Sequence, residues 1–414
     1  MKPNILIRGA RQLLTLNGAN EAHRGAAMND LGLINDGGVL IVNGLIARVG
    51  PSRRIENLAE ARNAIEIDAS GCVVMPGFVD SHTHVLSGTP GLKEPHTSHA
   101  PRRAFGSSEA IAELHASPSK TLELRLRRMV ERMFRHGTTT LEAKAGDGSD
   151  VSSDIRILNV FADLDQDPVD IVATYSGGNG VPAKYEGRSG EYLTWLCTKM
   201  LPKVSASKLA AFATVTCGPK SFLEEEAAIY LTAARTCGLM LRVLATDCDE
   251  PGAKLAIKMG AASVNGLVSV NDDTALRLAR SPAVATLLPA SAFDTGRYPN
   301  ARHLIDRGVA VALATGFHHD SPTSSMQMVI SLACTHMGMT PGEAITASTI
   351  NAAHALRRSG QVGSLQYGKQ ADLVMLNVSD YREIPFYFGS NQVSLTVKRG
   401  EILYQEALVR CAAE

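Results

Sequence analysis

Eight short apolar segments, separated by helix-like ones, run through the middle of the 414-residue chain and leave few folds open to it. The first carries Pro76-Gly77-Phe78-Val79-Asp80-Ser81-His82-Thr83-His84. The others are residues 138–142, 170–175, 212–216, 240–244, 262–265, 284–288 and 309–314. Between them lie stretches with helical spacing. Leu122, Leu126, Met129, Val130 and Met133 form one apolar stripe, closed by Gly137, and residues 224–236 and 301–307 read the same way. Strands alternating with helices bury a parallel sheet, and eight such units over this length predict a (β/α)8 TIM barrel. Active sites of that fold lie at the C-terminal ends of its strands.

The two ends of the chain read differently. Residues 5–7, 38–42 and 45–49 are β-like, the last two joined by Asn43-Gly44, a strong hairpin signal. Residues 371–376, 392–397 and 401–404 repeat this character near the C-terminus. The expected organisation is a small β-sandwich domain built from residues 1–72 and 359–414, with the barrel over 73–358.

Lys+Arg and Asp+Glu are each 41, so the formal charge is zero, and no long charged run argues for nucleic acid or an anionic membrane as partner. The N-terminal residues 1–8 hold too few apolar residues for a signal peptide and read as a first strand. No apolar run reaches the length of a membrane helix. Seven cysteines, an odd number without a CxxC pair, fit reduced thiols in the cytoplasm. A small-molecule ligand and a homodimer are the expected partners, dimers being the common default.

His82 and His84 carry the chemistry. Residues two apart in an extended strand point to one side, so both imidazoles can reach one metal ion. Further ligands could come from His318 or His319, with Asp320 beside them after the eighth segment, or from Asp247, Cys248, Asp249 and Glu250 after the fifth. The plainer reading of both loops is solvated surface. His96 and His99 lie in the first long loop. Asp80 reads as a brace for the strand end. Gly146 and Gly148 lack a following GK[ST] and read as a turn.

These residues sit in a pattern that resembles the amidohydrolase superfamily, and within it the imidazolonepropionases. The superfamily markers are residues 76–84 and Gly368-Lys369-Gln370-Ala371-Asp372-Leu373. The closer match covers most of the chain and includes residues 136–144, 313–315, 324–328, 332–335 and 380–389. The resemblance implies a metal-dependent barrel, with one zinc or iron ion, that opens a five-membered cyclic amide with activated water. It also implies ligands and proton-transfer groups at fixed places. The fifth-strand histidine falls on Leu244, the sixth-strand histidine on Gly266, and the eighth-strand aspartate on Gly316. The fourth-strand glutamate falls on Gly218. A substrate-side histidine falls on Asn179 and a tyrosine on Asp147. Glu142 and Lys144 match the pattern and would line the pocket with Asp147 and Asn179. Leucine and glycine cannot ligate a metal or move a proton.

Three functions stay open at this point. One is a divergent metal hydrolase of C–N bonds, using His82, His84 and His318 or His319, with Asp247 or Asp320 as base. The second is a non-catalytic barrel that binds a small molecule or a partner, such as an active relative it accompanies in an oligomer, with or without a metal. The third is a metal-independent enzyme that uses Asp147, Lys144 or Cys217 in new roles.

Overall fold

The computed structural model describes residues 2–18, 21–86, 113–146, 148–218, 221–245, 249–293, 296–318 and 322–406. Eight parallel strands form the central sheet. They are β1 (Phe78–Asp80), β2 (Thr138–Ala145), β3 (Asp170–Gly178), β4 (Phe212–Thr216), β5 (Met240–Leu244), β6 (Ser263–Asn265), β7 (Val284–Leu287) and β8 (Val311–Leu313). Each pairs with the next in chain order. Just past the first and last strands, Thr83 bridges to Phe317 in parallel, which brings the ring to near closure. Two backbone bonds reinforce this seam: Gly316 N–H donates to His82 O at 3.1 Å and His84 N–H to Phe317 O at 2.7 Å. This is the expected (β/α)8 barrel.

The helices pack outside because their apolar stripes need the barrel wall. In Ser119–Arg135, Leu122, Leu126, Val130 and Met133 are buried, and Gly137 follows at φ +90, a left-handed value that glycine adopts without strain. Glu224–Thr236 and Ala301–Asp306 occupy the places their spacing predicts. Among the described residues no helix is long and apolar enough to cross a membrane.

Both chain ends contribute to a second, mixed sheet of eight strands, the small β domain expected from the sequence. Ile5–Leu14 pairs antiparallel with Leu33–Val42 and parallel with Ile65–Asp68. The Leu33–Val42/Leu45–Pro51 hairpin turns on Asn43 and Gly44, both at positive φ, as a type I′ turn requires. The C-terminal strands Leu373–Leu376, Val393–Lys398 and Glu401–Gln405 follow in order. Val73–Pro76, the apolar run before the histidines, pairs with Leu373–Leu376 in this sheet and not in the barrel. The chain crosses at Gly77, where a Cβ would lie 2.4 Å from Thr139 Cγ2, too close for any other residue without a shift.

Candidate functional site at the strand ends

His82 and His84 lie just beyond the C-terminal end of β1, both buried, with ring centroids 5.4 Å apart at 65°. They do not sit within a strand, as their spacing suggested. The close Thr83–Phe317 seam holds them instead. Asp80 braces the same seam. Its carboxylate accepts from Thr315 N–H at 3.1 Å and from Thr315 Oγ1 at 2.5 Å. Burial pushes this carboxyl up to about 7, against the pull of the Thr315 hydrogen bonds.

Glu142 and Lys144 project from β2, two residues apart and so on one face. Glu142 is fully buried. Its Oε1 accepts from Arg242 Nη1 at 2.6 Å and from Thr174 Oγ1 at 2.6 Å. Arg242, on β5, also donates to Ser81 O at 2.7 Å and to Asn265 Oδ1 at 3.0 Å. One guanidinium thus ties β1, β2, β5 and β6 together across the barrel. Burial lowers Arg242 from the ordinary arginine value, with Glu142 opposing.

The Lys144 ammonium lies against His82, 3.0 Å from Nδ1 and 2.9 Å from Nε2. Its distance to Glu142 Oε2 is 4.0 Å. Burial pushes Lys144 down to about 7, with Glu142 opposing. Burial, and after it the Lys144 charge, hold His82 well below the usual histidine range.

The structure brings His82, His84, Glu142 and Lys144 together. Asn179 follows β3 and accepts weakly from Thr216 Oγ1 at 3.4 Å, at the neighbouring strand end. His318 follows β8, half-buried. Asp147, Asp247, His319 and Asp320 lie outside the described residues, as do His96, His99 and Cys248. Arg242, Thr174 and Asn265 were not singled out from sequence. The available signal was Glu142: a carboxylate in a buried strand needs a cation, and Arg242 is the charge inside the apolar run of β5.

Among the described residues no three His, Cys, Asp or Glu side chains gather around one point that could hold a metal ion. A catalytic zinc takes three protein ligands. The described donors amount to two imidazoles, one of them with an ammonium against it, and do not fit a zinc or iron centre by themselves. Leu244 ends β5, Gly266 follows β6 and Gly316 follows β8. Both glycines have left-handed backbones, at φ +77 and +60.

Comparison with known proteins places this geometry among relatives. The Amidohydrolase family model matches residues 294–403. The chain is 38% identical over 411 residues to the imidazolonepropionase of Parabacteroides distasonis, covering 96% of this chain and 98% of that one. It is 39% identical over 431 residues to the imidazolonepropionase of Geobacillus kaustophilus, covering 99% and 100%. Among solved structures, atrazine chlorohydrolase from Arthrobacter aurescens complexed with zinc superposes with a TM-score of 0.71 at 17% identity, over 97% of this chain and 95% of that one. Guanine deaminase of E. coli does so at 0.72 and 15% identity, over 98% and 100%. At these identities the two structures establish the shared fold.

Proposed function

Because the chain belongs to the imidazolonepropionase family of amidohydrolases, we propose that it is a member whose barrel binds a small molecule and has given up metal-assisted hydrolysis of the cyclic amide. The observation that carries this reading is the donor set at the strand ends: among the described residues no third metal-ligating side chain gathers with His82 and His84. A divalent ion at the histidine pair would have the Lys144 amino group, 3.0 and 2.9 Å from the two His82 ring nitrogens, beside it.

Two further points support it. The family pattern implies histidines at Leu244 and Gly266, an aspartate at Gly316 and a glutamate at Gly218. None of the four residues present can bind metal or carry a proton. At Gly266 and Gly316 the backbone lies in the left-handed region, where a restored ligand would be strained by about 1–2 kcal/mol. The expected setting remains a cytoplasmic homodimer.

Metal analysis of protein purified without chelator, paired with an assay on imidazolone propionate, tests the reading. The expected result is little zinc or iron, no change in it for a His82→Ala/His84→Ala double variant, and no turnover. Near-stoichiometric metal that the double variant loses, together with hydrolysis, would overturn it in favour of a rebuilt metal site drawing on the loops after β5 and β8.

A further inference from the structure

Below the histidine pair, the interior of the barrel is polar. Residues in register on neighbouring strands share a face of the sheet. Glu142 reaches inward to Arg242 and Thr174, which fixes the inward face on β2 and β3. Register carries that face through Thr214 on β4, Arg242 on β5, Ser263 and Asn265 on β6, and Thr286 on β7. Thr140 stands two residues before Glu142 and faces the same way. Barrels of this kind fill their centre mainly with bulky branched side chains. Here Thr140, Thr214, Ser263 and Thr286 are small, buried and polar.

Some polar atoms of this interior are left over. Thr140 Oγ1, Thr214 Oγ1 and Thr286 Oγ1 have no hydrogen-bond partner among the described residues. Neither have Glu142 Oε2 and Arg242 Nε, although Glu142 Oε1 and both Arg242 Nη groups are bonded. The Lys144 ammonium is 4.0 Å from Oε2, beyond hydrogen-bond reach. A buried polar atom without a partner is costly, and native interiors rarely leave one so. The chemistry of these atoms selects what answers them. Oε2 only accepts, Nε only donates, and the hydroxyls do either. A cation would satisfy Oε2 and meet the Arg242 charge. An anion would satisfy Nε and meet the Glu142 charge. Water donates to the one and accepts from the other, and the hydroxyls complete its two to four bonds.

We propose that the barrel centre is a binding site for a cluster of ordered waters, which bridges Glu142 Oε2 and Arg242 Nε by way of the Thr140, Thr214 and Thr286 hydroxyls. The cluster completes the hydrogen bonding of a buried ion pair, which is stable only when its remaining lone pairs and protons are satisfied. It also gives the strand-end site a hydrated floor. Glu142 stands two residues before Lys144 on the same face, and Arg242 holds Ser81 O, one residue before His82. A molecule seated at the mouth therefore meets water on its inner side. This assignment does not depend on what the mouth binds.

Crystals of the full-length protein grown with rubidium bromide, and the unfolding of two variants, test it. The expected density shows solvent within hydrogen-bond distance of Thr214 Oγ1, Thr286 Oγ1, Glu142 Oε2 and Arg242 Nε, with no anomalous signal from either ion. In Thr214→Val the solvent beside the substituted position is lost. Thr214→Val and Thr286→Val keep the side-chain shape and remove the hydroxyl. In a hydrated centre each lowers the unfolding temperature, by about 2 °C, because a buried water loses a partner. In a dry centre each raises it, because an orphaned hydroxyl is gone. If neither variant folds, the density of the wild-type protein decides. A rubidium or bromide peak in the centre, hydroxyls turned onto backbone carbonyls with no solvent among them, or unfolding temperatures unchanged or raised in both variants overturns the proposal.

Discussion

Arg242 is the side chain on which the barrel interior is organised. It is among the largest fully buried groups, and it pairs with Glu142 one hundred positions earlier. Neither charge can be left alone in that interior, since an unpaired buried ion costs several kcal/mol. Arg242→Met is therefore expected to destabilise the fold by about 3–5 kcal/mol. The double variant Glu142→Gln/Arg242→Met should recover much of that loss, because it removes both charges. Urea unfolding of the two variants decides the matter; a double variant no more stable than the single one would show that the pair is not what Arg242 serves. At this scale the histidines, Glu142 and Lys144 were legible, because they stand in recognisable runs. Arg242 was not, because a lone arginine in an apolar strand shows its role only when the facing strand is known.

At the scale of elements, the strands were read by their apolar runs and their ends were set by other forces. β4 and β5 span the residues their composition suggests. β2 runs on to Ala145, three residues past its obvious apolar part, since Glu142 and Lys144 find partners inside the barrel and need not mark a strand end. The run before the histidines misled in one respect. Val73–Pro76 looks like the barrel strand, but the seam at Gly77 divides it from β1. The turn after β8 depends on Gly316 at φ +60, where a Cβ would also lie 3.0 Å from Ser291 Oγ. Gly316→Ala should cost about 1–2 kcal/mol from the backbone alone. Thermal unfolding measures it, and an unchanged midpoint would mean that the turn relaxes freely.

For the whole molecule, the joint between sheet and barrel matters most. Lys398, from the C-terminal strand Val393–Lys398, donates to Asp372 Oδ2 at 2.6 Å and to Asp170 Oδ2 at 2.8 Å. Asp170 begins β3, so one buried ammonium clamps the two sheets; Arg399 adds a second contact to the same carboxylate. Burial raises Asp372, with Lys398 pulling it back. Lys398→Met leaves two carboxylates facing each other and should cost about 3–5 kcal/mol, read from denaturant unfolding. A loss below about 1 kcal/mol, the range of exposed pairs, would show that solvent reaches the clamp.

Lys369, buried in the small domain with its ammonium on Ser364 Oγ, makes a separate prediction in pH. Lys369 is held at about 8 in the folded protein, below its ordinary 10.5. Between those values the unfolded chain binds the extra proton, so stability rises with pH across this window, and the penalty stands in full below it. The wild-type protein should gain on Lys369→Met as pH climbs from 8 toward 10.5. Parallel pH profiles for the two proteins would contradict this.

The sequence by itself determined the barrel, the small sheet made from both chain ends, and the family, because strand and helix periods are local and survive in the order of residues. The tertiary structure alone decided which charges meet. Lys144 against His82, Arg242 on Glu142, and Lys398 on Asp170 are contacts between segments far apart in the chain. Their energies come from burial and distance, which no local pattern records.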